Sequence, residues 1–273
     1  MKGIEGASYN LRYLDELALQ PTPLRGLDPT VKLVTTVVFI IVVASFPRYA
    51  LLPLLPLTFY PTVLMAWGEL PVGYLVKRML WAAPFALFVA AFNPLLDRTP
   101  LLRWGSVVIS GGWVSFGVVM LKFALTVLAA LILIATTGMN QIGVALRRIG
   151  LPRELVGQLL FLYRYLFVLL EEATRMYRAY YLRASGRQGV RFPAWGSLAG
   201  QLLLRTFDRA QRIYQAMLCR GYHGEICQMA GPTGPERRFS NGIFLGGWTG
   251  FFLLARAVNL PQLLDAWWWR MFK

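Results

Sequence analysis

The stretch Trp113-Val114-Ser115-Phe116-Gly117-Val118-Val119-Met120-Leu121-Lys122-Phe123-Ala124-Leu125-Thr126-Val127-Leu128-Ala129-Ala130-Leu131-Ile132-Leu133-Ile134-Ala135-Thr136-Thr137 carries one charge in 25 residues. A helix needs about 20 mainly apolar residues to cross a bilayer. This run meets that length and predicts a transmembrane helix over 113–137, opened by Gly111-Gly112. Lys122 lies within it and is expected to face protein or reach an interface.

Similar charge-poor runs lie to either side. On the N-terminal side they predict spans over about 31–46, 49–67 and 79–93. Lys32 can snorkel outward from the first of these. Pro53, Pro56 and Pro61 predict a kinked or broken helix in the second. Pro84 and Pro94 place the end of the third near Asn93. Between Asp97 and Gly112, Leu101–Trp104 and Val107–Ile109 read as a short hairpin or surface loop. On the C-terminal side a last span runs from about Ser240 to Val258, and Trp267-Trp268-Trp269 with Arg270 and Lys273 reads as an interfacial anchor.

Composition agrees with these runs. Of 273 residues, 56% are hydrophobic and 15% charged. Soluble domains carry about 25% charged residues. Disordered, collagen-like and disulfide-scaffold classes are excluded. Lys and Arg number 28 against 13 acids, a net charge of +15. On a membrane protein that excess marks cytoplasmic loops rather than nucleic-acid binding. The first sixteen residues lack the apolar core of a signal peptide.

The excess is concentrated. Residues 147–220 hold thirteen arginines, no lysine and four acids, a net +9 over 74 residues. By the positive-inside rule this segment is cytoplasmic, apart from its apolar start. The expected fold is an all-α integral membrane protein with about five transmembrane helices. Leu155 to Leu170 is a candidate sixth span. The expected organisation is a membrane domain over 1–146, a cytoplasmic helical coupling domain over 147–235 inserted before the last span, and a membrane helix with an interfacial tail over 236–273.

Two helices are predicted in the basic segment. Pro152 suits a first helical turn, and the pattern then runs to Arg183. Glu171 and Arg175 stand at i,i+4 in the favourable order. The second helix is expected to start near Ser197. Leu198, Leu202, Leu203, Ala210, Ile213, Tyr214 and Met217 recur on one stripe, while Arg205, Asp208, Arg209 and Arg212 lie largely on the other side. Gly221 is in the usual stop position. Both helices thus end in an arginine followed by a small residue, Arg183-Ala184 and Arg220-Gly221. Such arginines can complement the helix dipole. A pair of them can also offer planar forks to carboxylates on a partner.

Other chemistry is thinly represented. No GxxxxGK[ST] phosphate-binding loop occurs. No predicted span carries an interior Asp, Glu or His, which disfavours a self-sufficient proton-coupled carrier. Lys122 and Arg164 are the ionisable candidates, and Arg164 reads equally as a residue leaving the interface. A membrane enzyme needs a converging nucleophile, base or metal, and none is evident. Cys219, His223 and Cys227 have i, i+4, i+8 spacing and form a minor metal-site alternative. Gly221 and Gly224 argue against a regular helix there.

Three motifs carry a family resemblance. Leu27-Asp28-Pro29-Thr30-Val31-Lys32-Leu33 resembles the opening of energy-coupling-factor (ECF) transporter transmembrane components. Tyr163-Arg164-Tyr165-Leu166-Phe167-Val168-Leu169-Leu170-Glu171-Glu172-Ala173, followed by Arg175-Met176, resembles the CbiQ branch, the T component of cobalt transporters. Gln215-Ala216-Met217-Leu218-Cys219-Arg220-Gly221-Tyr222 resembles the region ending in that family's second Ala-Arg-Gly-type coupling motif. The first motif here reads Leu182-Arg183-Ala184, and the second has Cys219 in place of alanine.

The resemblance implies a non-catalytic scaffold of an ATP-driven importer in the inner (cytoplasmic) membrane. Arg183, Ala184, Arg220 and Gly221 would couple to two ATPase subunits, with Glu171, Arg175, Arg209 and Arg212 as supporting charges. A separate substrate-binding subunit of the CbiM type is implied, with or without a small accessory membrane subunit. No cofactor is implied on this chain, since ATP and Mg would act on the ATPases. The implied cargo is cobalt or nickel. A vitamin-dedicated T component is the alternative.

Overall fold

Residues 13, 15–20, 22–48, 50–96, 100–104, 107–183, 192–222 and 235–257 are described by a computed structural model. The chain packs as two compact units. One comprises Leu17–Gly138 with Pro232–Lys273, the other Met1–Glu16 with Met139–Gly231.

The first unit begins with a short 3-10 turn, Pro23–Gly26, and helix α1, Pro29–Ser45. The Asp28-Pro29-Thr30 motif builds the helix start. Asp28 is the N-cap, its carboxylate accepts from the Thr30 N–H at 3.2 Å, and Pro29 occupies the first turn. The Asp28 N–H donates to Asn241 Oδ1 at 3.0 Å. This ties α1 to the last helix, α9, whose range is given below.

The proline-rich segment is broken, as its sequence predicts. Leu51–Leu54 (α2) gives way to a 3-10 turn at Leu55–Thr58 and then to α3, Phe59–Trp67. Proline removes backbone donors. Hydroxyls bond back to carbonyls in this segment: Thr58 donates to the Leu55 carbonyl at 2.6 Å, and Thr62 to the Phe59 carbonyl at 2.9 Å.

Helix α4, Val72–Leu96, is longer than the expected 79–93. Lys77 and Arg78 end the charge-free run but not the helix, and both Pro84 and Pro94 are accommodated inside it. The hairpin reading holds: β1 (Pro100–Trp104) pairs antiparallel with β2 (Val107–Ser110), with Leu102 opposite Ile109. The fold is otherwise helical among the described residues.

Helix α5, Gly111–Thr137, is the centre of this unit and packs against α1, α2, α3 and α4. Ser115, Val118, Leu125, Ala129, Ile132 and Ala135 are buried along it. Helix α9, Pro235–Ala257, packs on α1. Phe39, Tyr60 and Phe252 meet where α1, α3 and α9 converge, with ring centroids 4.5 Å (Phe39–Tyr60), 5.2 Å (Tyr60–Phe252) and 5.3 Å (Phe39–Phe252) apart. Trp248 packs edge-on against Tyr60 at 4.8 Å. Such pairs each add about 0.5–1.5 kcal/mol beyond burial. The Tyr60 hydroxyl is buried but paired with Thr36 Oγ1 at 3.1 Å.

Two lysines join α1 to α5 reciprocally. Lys32 Nζ, near the start of α1, donates to the Thr136 carbonyl at the end of α5 at 3.0 Å. Lys122 Nζ donates to the carbonyls of Phe46 (2.6 Å) and Ala44 (3.2 Å) at the end of α1. Fourteen residues separate Lys32 from Phe46, and fourteen separate Lys122 from Thr136. The helices are therefore antiparallel and in register, over about 21 Å of rise. Each cation meets the carbonyl end of the other helix, where the macrodipole is negative. The ring of Phe46 also lies 5.0 Å from the Arg256 guanidinium carbon.

In the second unit, helix α6 (Met139–Ile149) packs against α7 (Arg153–Arg183), and α7 against α8 (Phe192–Cys219). Helix α5 ends at Thr137, as the predicted span does, with Gly138 at φ 72° at the stop, and α6 follows as a separate helix.

Two helices, α4 (over Val72–Pro94) and α5, are long and apolar enough to cross a membrane among the described residues. Helix α1 is apolar but shorter.

Candidate coupling site

Helix α7 starts directly after Pro152 and runs without a break through Gly157 to Arg183, 31 residues and about 46 Å. Its last residues, Leu182 and Arg183, are exposed. Ala184 lies outside the described residues.

Helix α8 begins at Phe192, five residues before the expected start at Ser197. Pro193 sits in its first turn, a better start signal than the serine cap. Ala194, Leu198, Leu202, Thr206, Arg209, Ile213 and Met217 are half-buried, a stripe at four- and three-residue steps. Leu203, Ala210 and Tyr214, which the sequence pattern places on the buried stripe, are exposed or stand beside it rather than on it: Leu203 and Tyr214 are exposed, and Ala210 is replaced in the covered row by Arg209. They stand one position round the helix from the residues that form the row.

The end of α8 is a complete Schellman motif. Gly221 adopts φ 79°, its N–H donates to the Leu218 carbonyl at 3.0 Å, and the Tyr222 N–H donates to the Met217 carbonyl at 3.0 Å. A side chain at position 221 would be strained in this left-handed conformation. Arg220 is exposed at the turn. Both Arg183 and Arg220 are thus presented at helix C-termini.

The two helices are joined by a charge node that sequence reasoning missed. Glu172, on α7, is buried. Its Oε1 accepts from Arg205 Nη1 of α8 at 2.5 Å, and its Oε2 lies 3.0 Å from Arg175 Nη2. Arg175 pairs with Glu172 at i,i+3, and Glu171 stands on the exposed side of α7. Adjacent helix positions differ by about 100° of rotation, so packing decides which of the two acids faces α8. Arg209 is half-buried and Arg212 is exposed; the latter's Nε donates to the Asp208 carbonyl at 3.3 Å.

The Arg205 hydrogen bond holds the Glu172 carboxyl below its ordinary value, opposed by burial and aided by the charges of Arg175, Arg205 and Arg209. A depressed carboxylate pKa stabilises the fold above the unfolded value of about 4.3 and loses that contribution as pH falls through the folded pKa. Acid is therefore expected to loosen the α7–α8 pair below about pH 4. Hydrogen exchange of α8 followed across the acid range, corrected for intrinsic rates, checks this. In Glu172→Gln the step should vanish.

Cys219 is exposed with a free thiol. Helix α8 ends there, and Gly221 turns left-handed two residues later. His223 and Cys227 lie outside the described residues. Among the described residues no group of three His, Cys, Asp or Glu could hold a metal. Of the ionisable candidates in apolar segments, Lys122 serves as the helix cap described above and Arg164 is exposed on α7. Tyr163, beside it, donates to Asp15 Oδ2 at 2.6 Å.

A family model described as cobalt transport protein, CbiQ, matches residues 20–229, which span α1 to the end of α8 and beyond. The chain belongs to the CbiQ family. This CbiQ-family chain is 27% identical over 220 residues to the energy-coupling factor transporter transmembrane protein EcfT of Bacillus subtilis, covering 72% of the chain and 80% of the relative. It is 29% identical over 191 residues to the cobalt transport protein CbiQ of Rhodobacter capsulatus, covering 60% and 78%. A putative fused cobalt transport protein CbiMQ of Methanocorpusculum labreanum is 23% identical over 223 residues, 77% of the chain and 36% of that protein. Membership of this family identifies the chain as a membrane transport protein.

Proposed function

We propose that this CbiQ-family chain is the T component of an ATP-driven ECF-type importer, transmitting ATPase motion to a separate substrate-binding membrane subunit. One observation carries the reading: α7 and α8, tied together through Glu172, each end in an exposed arginine, Arg183 and Arg220. Arg183-Ala184 and Arg220-Gly221 would enter acidic grooves on two ATPase subunits, with Glu171, Arg175, Arg209 and Arg212 shaping the charge around them. ATP and Mg act on those subunits, because this chain carries no phosphate-binding loop. The chain is a non-catalytic scaffold and has no nucleic-acid role.

In this reading the chain lies in the inner (cytoplasmic) membrane. About five spans are drawn from α1, the α2–α3 segment, α4, α5 and α9. The basic helices of residues 147–235 face the cytoplasm, in keeping with the positive-inside rule. The fused CbiMQ relative supports a CbiM-type substrate-binding partner.

The cargo proposed is cobalt or nickel, in line with the names of the relatives. Uptake of radiolabelled Co²⁺ and Ni²⁺ by the complex reconstituted in liposomes tests it. ATP-dependent accumulation of either ion is expected. Accumulation of a vitamin with no metal signal would assign the chain to a vitamin transporter instead.

A further inference from the structure

Three helices of the first unit meet at one level around Phe46. Helices α1 and α9 run parallel: Asp28 bonds Asn241, Phe39 meets Phe252, and Phe46 meets Arg256. Helix α5 runs antiparallel to α1, which brings Lys122 level with Phe46. Two cations therefore converge on one residue. Lys122 Nζ donates to the Phe46 carbonyl at 2.6 Å, and the Arg256 guanidinium carbon lies 5.0 Å from the centre of the Phe46 ring. A third cation, Arg48, follows two residues later. It is exposed in the turn closed by the Ala50 N–H on the Pro47 carbonyl at 3.4 Å.

No carboxylate answers these charges. Among the described residues none of the three is in an ion pair. The described acids of this unit, Asp28, Glu69 and Glu236, belong to the other end. Asp28 caps the start of α1, Glu236 is the second residue of α9, and Glu69 follows Gly68, which lies against Leu24. Asp28 and Phe46 are eighteen residues apart, or about 27 Å of helix rise. The carbonyl end of α1 supplies only about half a negative charge. Lys122 Nζ has a third N–H beyond the two that meet the Phe46 and Ala44 carbonyls. Cations at the edge of an apolar layer call for a counter-charge. Arg256 is exposed, and so is Leu253 one turn before it on the same side of α9. Charge and apolar surface thus stand side by side, as a phosphate headgroup and its acyl chain require.

We propose that Arg48, Lys122 and Arg256 form a headgroup site for an anionic phospholipid. The phosphodiester oxygens accept from the two guanidinium groups and from the remaining Lys122 N–H, and an acyl chain runs along α9 past Leu253. The site needs only that the chain lies in a membrane, which its family shows. It is independent of the coupling function.

Native mass spectrometry of the full chain in mild detergent, titrated with phosphatidylglycerol, phosphatidylcholine or inorganic phosphate, tests the site. Phosphatidylglycerol is expected to bind about tenfold more tightly than phosphatidylcholine, and phosphate alone not to compete with it. Arg48→Gln with Arg256→Gln should weaken phosphatidylglycerol binding about tenfold or more, while lysine at both positions keeps most of it. Arg48→Gln alone changes only an exposed turn residue and should already weaken binding, so the test stands even where the double variant unfolds. Lys77→Gln with Arg78→Gln removes the same charge at the other end of the unit and should leave binding at the wild-type level. Equal binding of the two lipids, a double glutamine variant that binds as wild type, or an equal loss in the Lys77, Arg78 variant would overturn the site. Competition by inorganic phosphate would overturn the lipid and leave a site for a free anion.

Discussion

Replacing Arg183 and Arg220 together with glutamate is expected to release the ATPase subunits from the chain and abolish uptake, leaving the membrane unit folded. Each arginine is exposed at a helix end, so its loss removes no internal packing. At an interface the loss is larger. Truncating one partner of a buried, hydrogen-bonded charge pair costs about 2–5 kcal/mol, and glutamate adds repulsion against an acidic groove. Two such sites correspond to a loss of affinity of about a thousandfold or more. Lysine at both positions keeps the charge but not the planar fork, and should fall between wild type and the double glutamate variant. Pull-down of the ATPases from detergent extracts, together with thermal unfolding of the chain, separates lost coupling from lost folding.

Lys122→Met should destabilise the membrane unit by about 2–3 kcal/mol. Lys122 Nζ satisfies two carbonyls at the end of α1, Ala44 and Phe46. Methionine matches its bulk but donates nothing, and carbonyls left unpaired in lipid cost far more than in water. Lys122→Arg should retain most of the stability. The melting temperature in mild detergent checks both, and a Met variant as stable as wild type would show that the reciprocal α1–α5 clamp contributes nothing. Lys32→Met has two opposed effects, because it also removes the cost of a buried cation. Half-exposed Lys122 carries less of that cost, so the loss of its two hydrogen bonds sets the sign.

Much of the architecture is legible because hydropathy reports it directly. Trp113 to Thr137 is a continuous apolar run, and it is helix α5. Pro152 and Cys219-Arg220-Gly221 carry local start and stop chemistry, and α7 and α8 begin or end there. Pro53, Pro56 and Pro61 remove donors, and the segment breaks. The features that are not legible depend on conformation or on neighbours. Helix α4 begins at Val72, seven residues before the charge-free run, because Lys77 and Arg78 end the run without ending the helix. Lys32 and Lys122 look alike as charges in apolar surroundings. Their matched fourteen-residue spacing acquires meaning only once α1 and α5 are known to be antiparallel. Glu172 and Glu171 are adjacent, and choosing which faces Arg205 requires the position of α8.

The candidate site divides the same way. Arg183 and Arg220 close two helical sequence patterns and are exposed at those ends. The Glu172–Arg205 bond that ties the two helices spans 33 residues and leaves no local signature. The i, i+4, i+8 spacing of Cys219, His223 and Cys227 starts at the last residue of α8, and His223 and Cys227 lie outside the described residues.

Purification of the full-length chain in mild detergent, after expression alongside its native partners, decides whether the arginine-tipped helices hold ATPase subunits. Two nucleotide-hydrolysing subunits are expected to co-elute with each wild-type chain and to be missing from the Arg183→Glu, Arg220→Glu chain. A wild-type chain that elutes without any such subunit, or a doubly substituted chain that retains them at wild-type level, would contradict it.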